Sequence, residues 1–213
     1  MHEAPDRPPS VAVRWPIPIM LAAPALGIAL AITFSADHSA QFGLIVVGLF
    51  ALLTAIAAGG AAALSGSGAV RSALLVKAAI GVVTGTAAIL SAFAATGPDP
   101  IIGTSTLAIV TAGTLLFLGA VDAWLGFRTR GDRFARDWNA GAIIAVVTAI
   151  VVMLVPPDFH HAFTGPDGVE RHLTASIVIV GVTGAGLAIL GVFYAIAGAS
   201  LIPQRTRPRK ARA

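Results

Sequence analysis

The sequence predicts an all-α membrane protein with six transmembrane helices, arranged as three tandem helical hairpins with both termini in the cytoplasm. Three observations carry this prediction. Apolar residues make up 56% of the 213 residues and charged residues only 11%, against about 25% charged in an ordinary soluble domain. Six apolar runs have the length that a bilayer requires. The basic residues fall almost entirely between alternate runs.

The apolar runs set the predicted domain organisation. At 1.5 Å per residue, about 20 residues cross the hydrocarbon core. The predicted helices are 17–35, 42–64, 73–95, 101–127, 139–155 and 173–202, which form one transmembrane domain over 17–202. A secretory signal is the alternative for the first run, but that run is longer than a normal signal core and no clean cleavage motif follows it.

Short polar tails flank this domain. Residues 1–16 are rich in proline, which favours a disordered cytoplasmic tail. Residues 203–213 form a basic cytoplasmic tail, and we expect its five cationic side chains to contact anionic lipid. These are Arg205, Arg207, Arg209, Lys210 and Arg212. The bilayer is therefore the expected partner, and so short a tail does not favour nucleic-acid binding.

The distribution of basic residues predicts the orientation. With the N-terminus inside, thirteen of the fourteen lysines and arginines fall on the inner side, and Arg171 is the exception. Cytoplasmic loops of membrane proteins carry such an excess. An odd number of helices would place basic segments on both sides of the membrane. The distribution of basic residues therefore also supports the count of six helices.

The even-numbered helices resemble one another. Gly48, Gly119 and Gly191 each precede a small residue within the next helical turn, and they are 71 and 72 residues apart. A true repeat of three hairpins is one interpretation. A chance likeness among helices rich in alanine and glycine is the other.

Apolar hairpins that end in proline, followed by a Gly-x-x-acid helix and a basic turn, resemble the HdeD-like family of bacterial six-helix inner-membrane proteins. The resemblance covers roughly 73–202 and is clearest at 119–122 and 139–157. The first hairpin departs from it, because 17–35 lacks the closing proline. The resemblance implies a multi-pass protein of the inner (plasma) membrane. The family's link to acid-stress resistance in enteric bacteria implies a stress-related role without a defined activity.

Asp122 is the one acidic residue predicted inside a helix. It lies about one and a half turns before Arg128, and Lys77 lies equally far after Arg71, so both should sit at similar depth. A charge near the bilayer centre costs roughly 2.5–3.5 kcal/mol. One interpretation is an intramembrane ion pair of Lys77 with Asp122. The other is that each side chain extends separately to the cytoplasmic interface.

A second candidate is the outer segment 156–172. His160, His161 and His172 lie near carboxylates there. Such a group could respond to pH between 5 and 7 or bind a divalent metal. The alternative is a solvated loop without enforced geometry, and we assign no metal ligands.

Small residues recur at four-residue spacing, which lets helices approach closely in lipid. We expect these ladders to pack the bundle internally, and formation of a homo-oligomer is a second use. The ladders are Gly81–Gly85, Gly141–Ala145–Ala149, Gly181–Ala185 and Ala195–Ala199. Trp15, Trp124 and Trp138 are expected to form an aromatic belt at the cytoplasmic interface.

The sequence contains no phosphate-binding loop, zinc-protease motif or nucleophile elbow. We therefore predict no catalytic residue and no cofactor, and the chain is not expected to be an enzyme. Two hypotheses follow. The first is a non-catalytic membrane protein with a stress-related or accessory role. The second is a small transporter or channel with Asp122 in its pathway.

Overall fold

The computed structural model describes residues 13, 15–66, 68–94, 100–132, 134–166, 168 and 170–202, with only the backbone at 100–102. These residues form six helices and one two-stranded sheet. The helices are α1 (Pro16–Phe34), α2 (Ala40–Leu64), α3 (Ala69–Ala94), α4 (Pro100–Arg128), α5 (Ala135–Met153) and α6 (Ala175–Ser200). The strands β1 (His160–Thr164) and β2 (Glu170–Thr174) connect α5 to α6.

Within the described residues, six helices are long and apolar enough to cross a membrane, which confirms the six predicted helices. Their outer faces are apolar as well, because each helix has an aliphatic side chain that is more than half exposed. These side chains are Leu30, Ile56, Val83, Ile109, Ile143 and Ile196. Water-soluble proteins rarely expose large apolar patches. The structure therefore has the form of a multi-pass membrane protein.

Two helices begin four residues earlier than predicted. α3 begins at Ala69 because Gly68, with φ of +122°, turns the chain immediately before it. α5 begins at Ala135, and its first turn contains Asp137, an acid that the partial positive charge of a helix N-terminus stabilises. The basic turn between α4 and α5 is therefore shorter than the sequence indicates.

The segment between α5 and α6 forms an antiparallel hairpin, so the alternative interpretation is wrong in describing this segment as a loop without enforced geometry. His160 lies opposite Thr174, and Thr164 lies opposite Glu170. Gly168 has φ of +75° and donates its N–H to the Gly165 carbonyl at 3.0 Å, which closes the turn. Because β2 continues to Thr174, α6 begins two residues later than predicted. Strand alternation is hard to recognise over only five residues.

The six helices form a closed ring in chain order. The closest packing joins α2 to α3, α4 to α5 and α6 to α1, and the even-numbered helices also contact one another. Gly48 faces α3, Gly119 faces α5 and Gly191 faces α1. At each of these glycines a Cβ atom would lie 3.0 Å or less from an atom of the neighbouring helix. The absent side chain therefore permits the close packing.

The small-residue ladders have different surroundings. Gly81 and Gly85 pack against the backbone of α2. Gly181 and Ala185 are exposed on the outer face of α6, and a Cβ on Gly181 would contact nothing within 4 Å. The expectation of internal packing is therefore wrong for the ladder at 181–185.

Candidate functional site

α3 and α4 bring together the two charged residues that were predicted inside helices. Lys77 Nζ donates hydrogen bonds to Asp122 Oδ1 at 2.5 Å and to Oδ2 at 2.7 Å. The residues are only 4% and 2% exposed. A buried charge is tolerated when it is paired and hydrogen-bonded. The contact has the geometry of the first interpretation, in which the two residues form a pair.

Tyr194 on α6 completes the cluster, and sequence reasoning did not identify it as a partner. Its hydroxyl donates a hydrogen bond to Asp122 Oδ2 at 2.7 Å. Its ring centroid lies 5.9 Å from Lys77 Nζ, within the range of a cation–π interaction. One signal could have found it: Tyr194 stands three residues after Gly191, as Asp122 stands three after Gly119.

α5 positions the Tyr194 ring. The Trp138 ring centroid lies 6.1 Å from that of Tyr194, and Phe134 contacts Trp138 edge-on at 5.1 Å. A Cβ on Gly141 would overlap the Tyr194 hydroxyl, so glycine is needed there. Trp138 is 0% exposed. Its expected place in an interfacial belt is therefore wrong, because it packs in the core.

The polar cluster lies inside the apolar bundle. Asp122 is six residues from the end of α4, and Tyr194 is six residues from the end of α6, which is about 9 Å along each axis. Two apolar core clusters meet at this level. One contains Leu125 on the side of the chain termini, and the other contains Leu115 on the opposite side. The charges are therefore held away from both helix ends.

A small cavity of about 20 Å³ adjoins the cluster on the bundle axis. Every helix contributes to its wall. Its lining includes Leu21, Thr54, Lys77, Asp122, Ala145 and Tyr194. A water molecule needs roughly 10–15 Å³ measured in this way, so the cavity has space for about one. The Thr54 hydroxyl is buried without a hydrogen-bond partner among the described residues, and such a water would satisfy it.

Further hydroxyl groups lie along the buried face of α4. The Thr111 and Thr114 hydroxyls also have no hydrogen-bond partner within the described part of the chain. Leu115 and Leu118 line the cavity between these threonines and Asp122 along α4. Apolar side chains therefore interrupt the polar groups on this helix.

The hairpin of β1 and β2 brings two of the three candidate histidines together. The His160 and His172 rings have centroids 4.7 Å apart and planes inclined by 31°. His161 lies opposite Leu173, and strand alternation directs it to the other face. In the described ranges, no group of three or more histidine, cysteine, aspartate or glutamate residues could hold a metal ion.

The tail residues expected to contact anionic lipid lie outside the described residues. They are Arg205, Arg207, Arg209, Lys210 and Arg212. The predicted N-terminal tail over 1–16 also lies outside them, apart from residues 13, 15 and 16.

In comparisons with known proteins, no family model, no curated protein and no solved structure matches this chain.

Proposed function

We propose that this chain is a non-catalytic integral protein of the bacterial inner membrane, of HdeD-like type, with a stress-related or accessory role. The buried cluster of Lys77, Asp122 and Tyr194 is the observation that carries the proposal of a structural role for these residues. It joins three helices through hydrogen bonds of 2.5–2.7 Å. In this role the charged residues specify how the helices pack. The resemblance of residues 73–202 to the HdeD-like family supports the stress-related part.

The hydrogen bonds that the Asp122 carboxylate already accepts support a packing role. Both Asp122 oxygens accept a hydrogen bond from Lys77, and Oδ2 also accepts one from Tyr194. A transported cation would have to displace the Lys77 ammonium from this buried site. Separating a buried ion pair in this way is costly, because each charge loses its partner in a medium of low dielectric constant.

The proposed arrangement is three hairpins, α1–α2, α3–α4 and α5–α6, around an axis. Ala51, Asp122 and Tyr194 each stand three residues after an equivalent glycine, and all three are nearly fully buried. Each equivalent glycine also faces the next helix in the ring. This recurrence of one packing role at three equivalent positions supports a true repeat.

The proposed orientation places both termini in the cytoplasm, as the excess of inner basic residues favours. The chain has no cysteine, so single cysteines can report the orientation in intact cells. Thr164→Cys in the outer hairpin should react with a membrane-impermeant maleimide, and Asp132→Cys in the basic turn should react only after lysis. The opposite labelling pattern would show that both termini lie on the other side of the membrane and would contradict the proposed orientation.

The functional test replaces the ion pair with a neutral pair. Lys77→Gln combined with Asp122→Asn removes both charges but leaves amide groups that can hydrogen-bond to each other and to the Tyr194 hydroxyl. We expect this double variant to restore growth of a deletion strain under acid or envelope stress. Asp122→Asn alone should fail, because Lys77 loses its counter-charge. A double variant that is as abundant as wild type but inactive would contradict the packing role, and a deletion strain without a stress defect would contradict the stress-related role.

The outer hairpin supports the link to acid stress. His160 and His172 are exposed strand residues with adjacent rings, and Glu170 lies on the same face by strand alternation. Histidine changes charge between pH 5 and 8. Two protonated rings at this separation would repel each other, so we propose that the hairpin loosens at acid pH.

The alternative function is a small transporter or channel with Asp122 in its pathway. The axial cavity beside Asp122 favours it, because all six helices line that cavity and the Thr54 hydroxyl there lacks a partner in the described chain. Proteoliposomes that contain a trapped pH-sensitive dye would test it. Proton flux that disappears in both Asp122→Asn and the neutral double variant would support transport. Wild-type liposomes that leak no faster than empty ones would contradict proton transport.

A further inference from the structure

An apolar groove of about 310 Å³ runs between α3 and α4 on the outer surface of the bundle. Val76 of α3 and Phe117 and Trp124 of α4 line its walls, and they are 51%, 59% and 40% exposed. Ala120, whose side chain is small, leaves space between them. Since α3 and α4 are long and apolar enough to span a bilayer, the groove opens toward lipid.

A basic side chain lies over Trp124, one of the residues that line this groove. Arg128 is the last residue of α4 and follows Trp124 by four residues, so both lie on the same helix face. The Arg128 guanidinium carbon is 5.4 Å from the centroid of the Trp124 ring, within cation–π range. The face that contains Phe117 and Trp124 therefore ends in a positive charge at the C-terminus of α4.

The length of this face matches one leaflet. Phe117 and Arg128 are eleven residues apart on α4, which is about 16 Å along the helix axis. Half of a hydrocarbon core of about 30 Å is about 15 Å. An acyl chain that lies against Phe117 and Trp124 would thus place its phosphate at the level of Arg128.

We propose that the groove between α3 and α4 binds one anionic phospholipid, with an acyl chain against Phe117, Ala120 and Trp124 and the phosphate paired with Arg128. The apolar walls exclude a soluble anion, and the arginine selects anionic over zwitterionic headgroups, which carry a cation of their own. This site is separate from the basic C-terminal tail and independent of the proposed function.

A second apolar groove lacks a cationic side chain from its own helices and serves as a comparison. The groove between α1 and α2 has a volume of about 370 Å³ and is lined by residues such as Met20, Leu53 and Ile56. Neither α1 nor α2 contains a lysine or arginine. Both the α1–α2 groove and the α3–α4 groove therefore have space for an acyl chain. Of these two helix pairs, only α3 and α4 contain cationic side chains.

Trp124 provides a direct readout, because it forms part of the proposed site. The chain has three tryptophans, and Trp138 is 0% exposed. A Trp15→Phe background therefore leaves Trp124 as the one exposed tryptophan. The protein with this background would be placed in bilayers of phosphatidylcholine that contain a small fraction of a lipid with dibrominated acyl chains, which quench nearby tryptophan. In one sample the brominated lipid is phosphatidylglycerol, and in the other it is phosphatidylcholine at the same fraction.

We expect the brominated phosphatidylglycerol to occupy the site about fivefold more than brominated phosphatidylcholine, the ratio given by about 1 kcal/mol per basic residue near the surface. Arg128→Gln should abolish the preference, and Arg128→Lys should largely keep it. Arg130→Gln is the matched control, because it removes one charge from the same turn while Arg130 lies over Phe127. Ala120→Phe should fill the groove and weaken quenching by both lipids.

Three results would overturn the site. Equal quenching by the two lipids in the parent protein would exclude selection for anionic lipid. An equal loss of preference in Arg128→Gln and Arg130→Gln would reduce the effect to general surface charge. Unchanged quenching in Ala120→Phe would show that the acyl chain lies elsewhere.

Discussion

Replacing Asp122 with asparagine should destabilise the bundle strongly, because it leaves the Lys77 ammonium buried without a negative partner. The two residues are 2% and 4% exposed, so bulk water cannot solvate the ammonium in place of the carboxylate. Removing one member of a buried ion pair costs about 3–5 kcal/mol. At about 1.4 kcal/mol per tenfold change, this raises the unfolded-to-folded ratio by roughly 100- to 4,000-fold.

The neutral double variant separates charge burial from general disruption. Lys77→Gln with Asp122→Asn leaves no uncompensated charge, and the Tyr194 hydroxyl retains an acceptor in the new amide. We expect the double variant to recover about 2 kcal/mol or more relative to the sum of the two single changes, within the range of directly coupled residues. Asp132→Asn in the turn after α4 makes the same chemical change near the helix ends, and we expect it to cost within about 0.5 kcal/mol.

Titration with sodium dodecyl sulfate in mixed micelles, followed by tryptophan fluorescence, measures these differences. Trp138 reports on the site because its ring centroid lies 6.1 Å from that of Tyr194. Two outcomes would refute the reasoning. Either Asp122→Asn unfolds at the wild-type detergent fraction, or the double variant loses as much stability as the two single variants combined.

Two further predictions concern Tyr194, and one concerns the hairpin of β1 and β2. Tyr194→Phe removes one hydrogen bond to a buried carboxylate and should cost about 1.5–3 kcal/mol in the same titration; an unchanged midpoint would show that the hydroxyl is dispensable. Gly141→Ala places a Cβ against that hydroxyl and should cost about 1–3 kcal/mol. Gly113→Ala is the control, because a Cβ there meets nothing within 4 Å, and it should be neutral or stabilising. Equal effects of the two substitutions would contradict the close contact between Gly141 and the Tyr194 hydroxyl. The His160 and His172 rings are 4.7 Å apart, and histidine is the side chain that gains charge on mild acidification. Acidification should therefore raise hairpin amide exchange beyond its intrinsic pH dependence, and persistence of that rise in His172→Asn would exclude the pair as its cause.

The number of helices could be predicted because it depends on a property of long segments. About 20 apolar residues are required to cross a bilayer wherever the helices then pack. The ends of the helices were less predictable, since local turns determine them. Gly68 with φ of +122° begins α3 early, and a composition window does not detect the conformation of one residue.

The candidate site was partly accessible from sequence. Lys77 and Asp122 could be assigned a common depth by counting residues from Arg71 and Arg128, because the rise per residue of a helix is fixed. Which side of each helix faces the axis could not be counted in this way. Tyr194 and Trp138 show the consequence, because aromatic residues near a helix end suit either a membrane interface or a core.

The contact between α1 and α6 has a consequence for biogenesis. α1 leaves the ribosome well before α6 but packs most closely against it, and 140 residues separate Phe34 from Ala175. At about 5–20 residues per second, α1 waits roughly 7–28 s for this neighbour. Tyr194 lies on α6 as well, so Asp122 lacks its third hydrogen bond until α6 has been synthesised. A chain that stops before α6 therefore exposes both an unpaired helix face and an incompletely bonded carboxylate, two features by which quality-control proteases could distinguish it from a chain that contains α6.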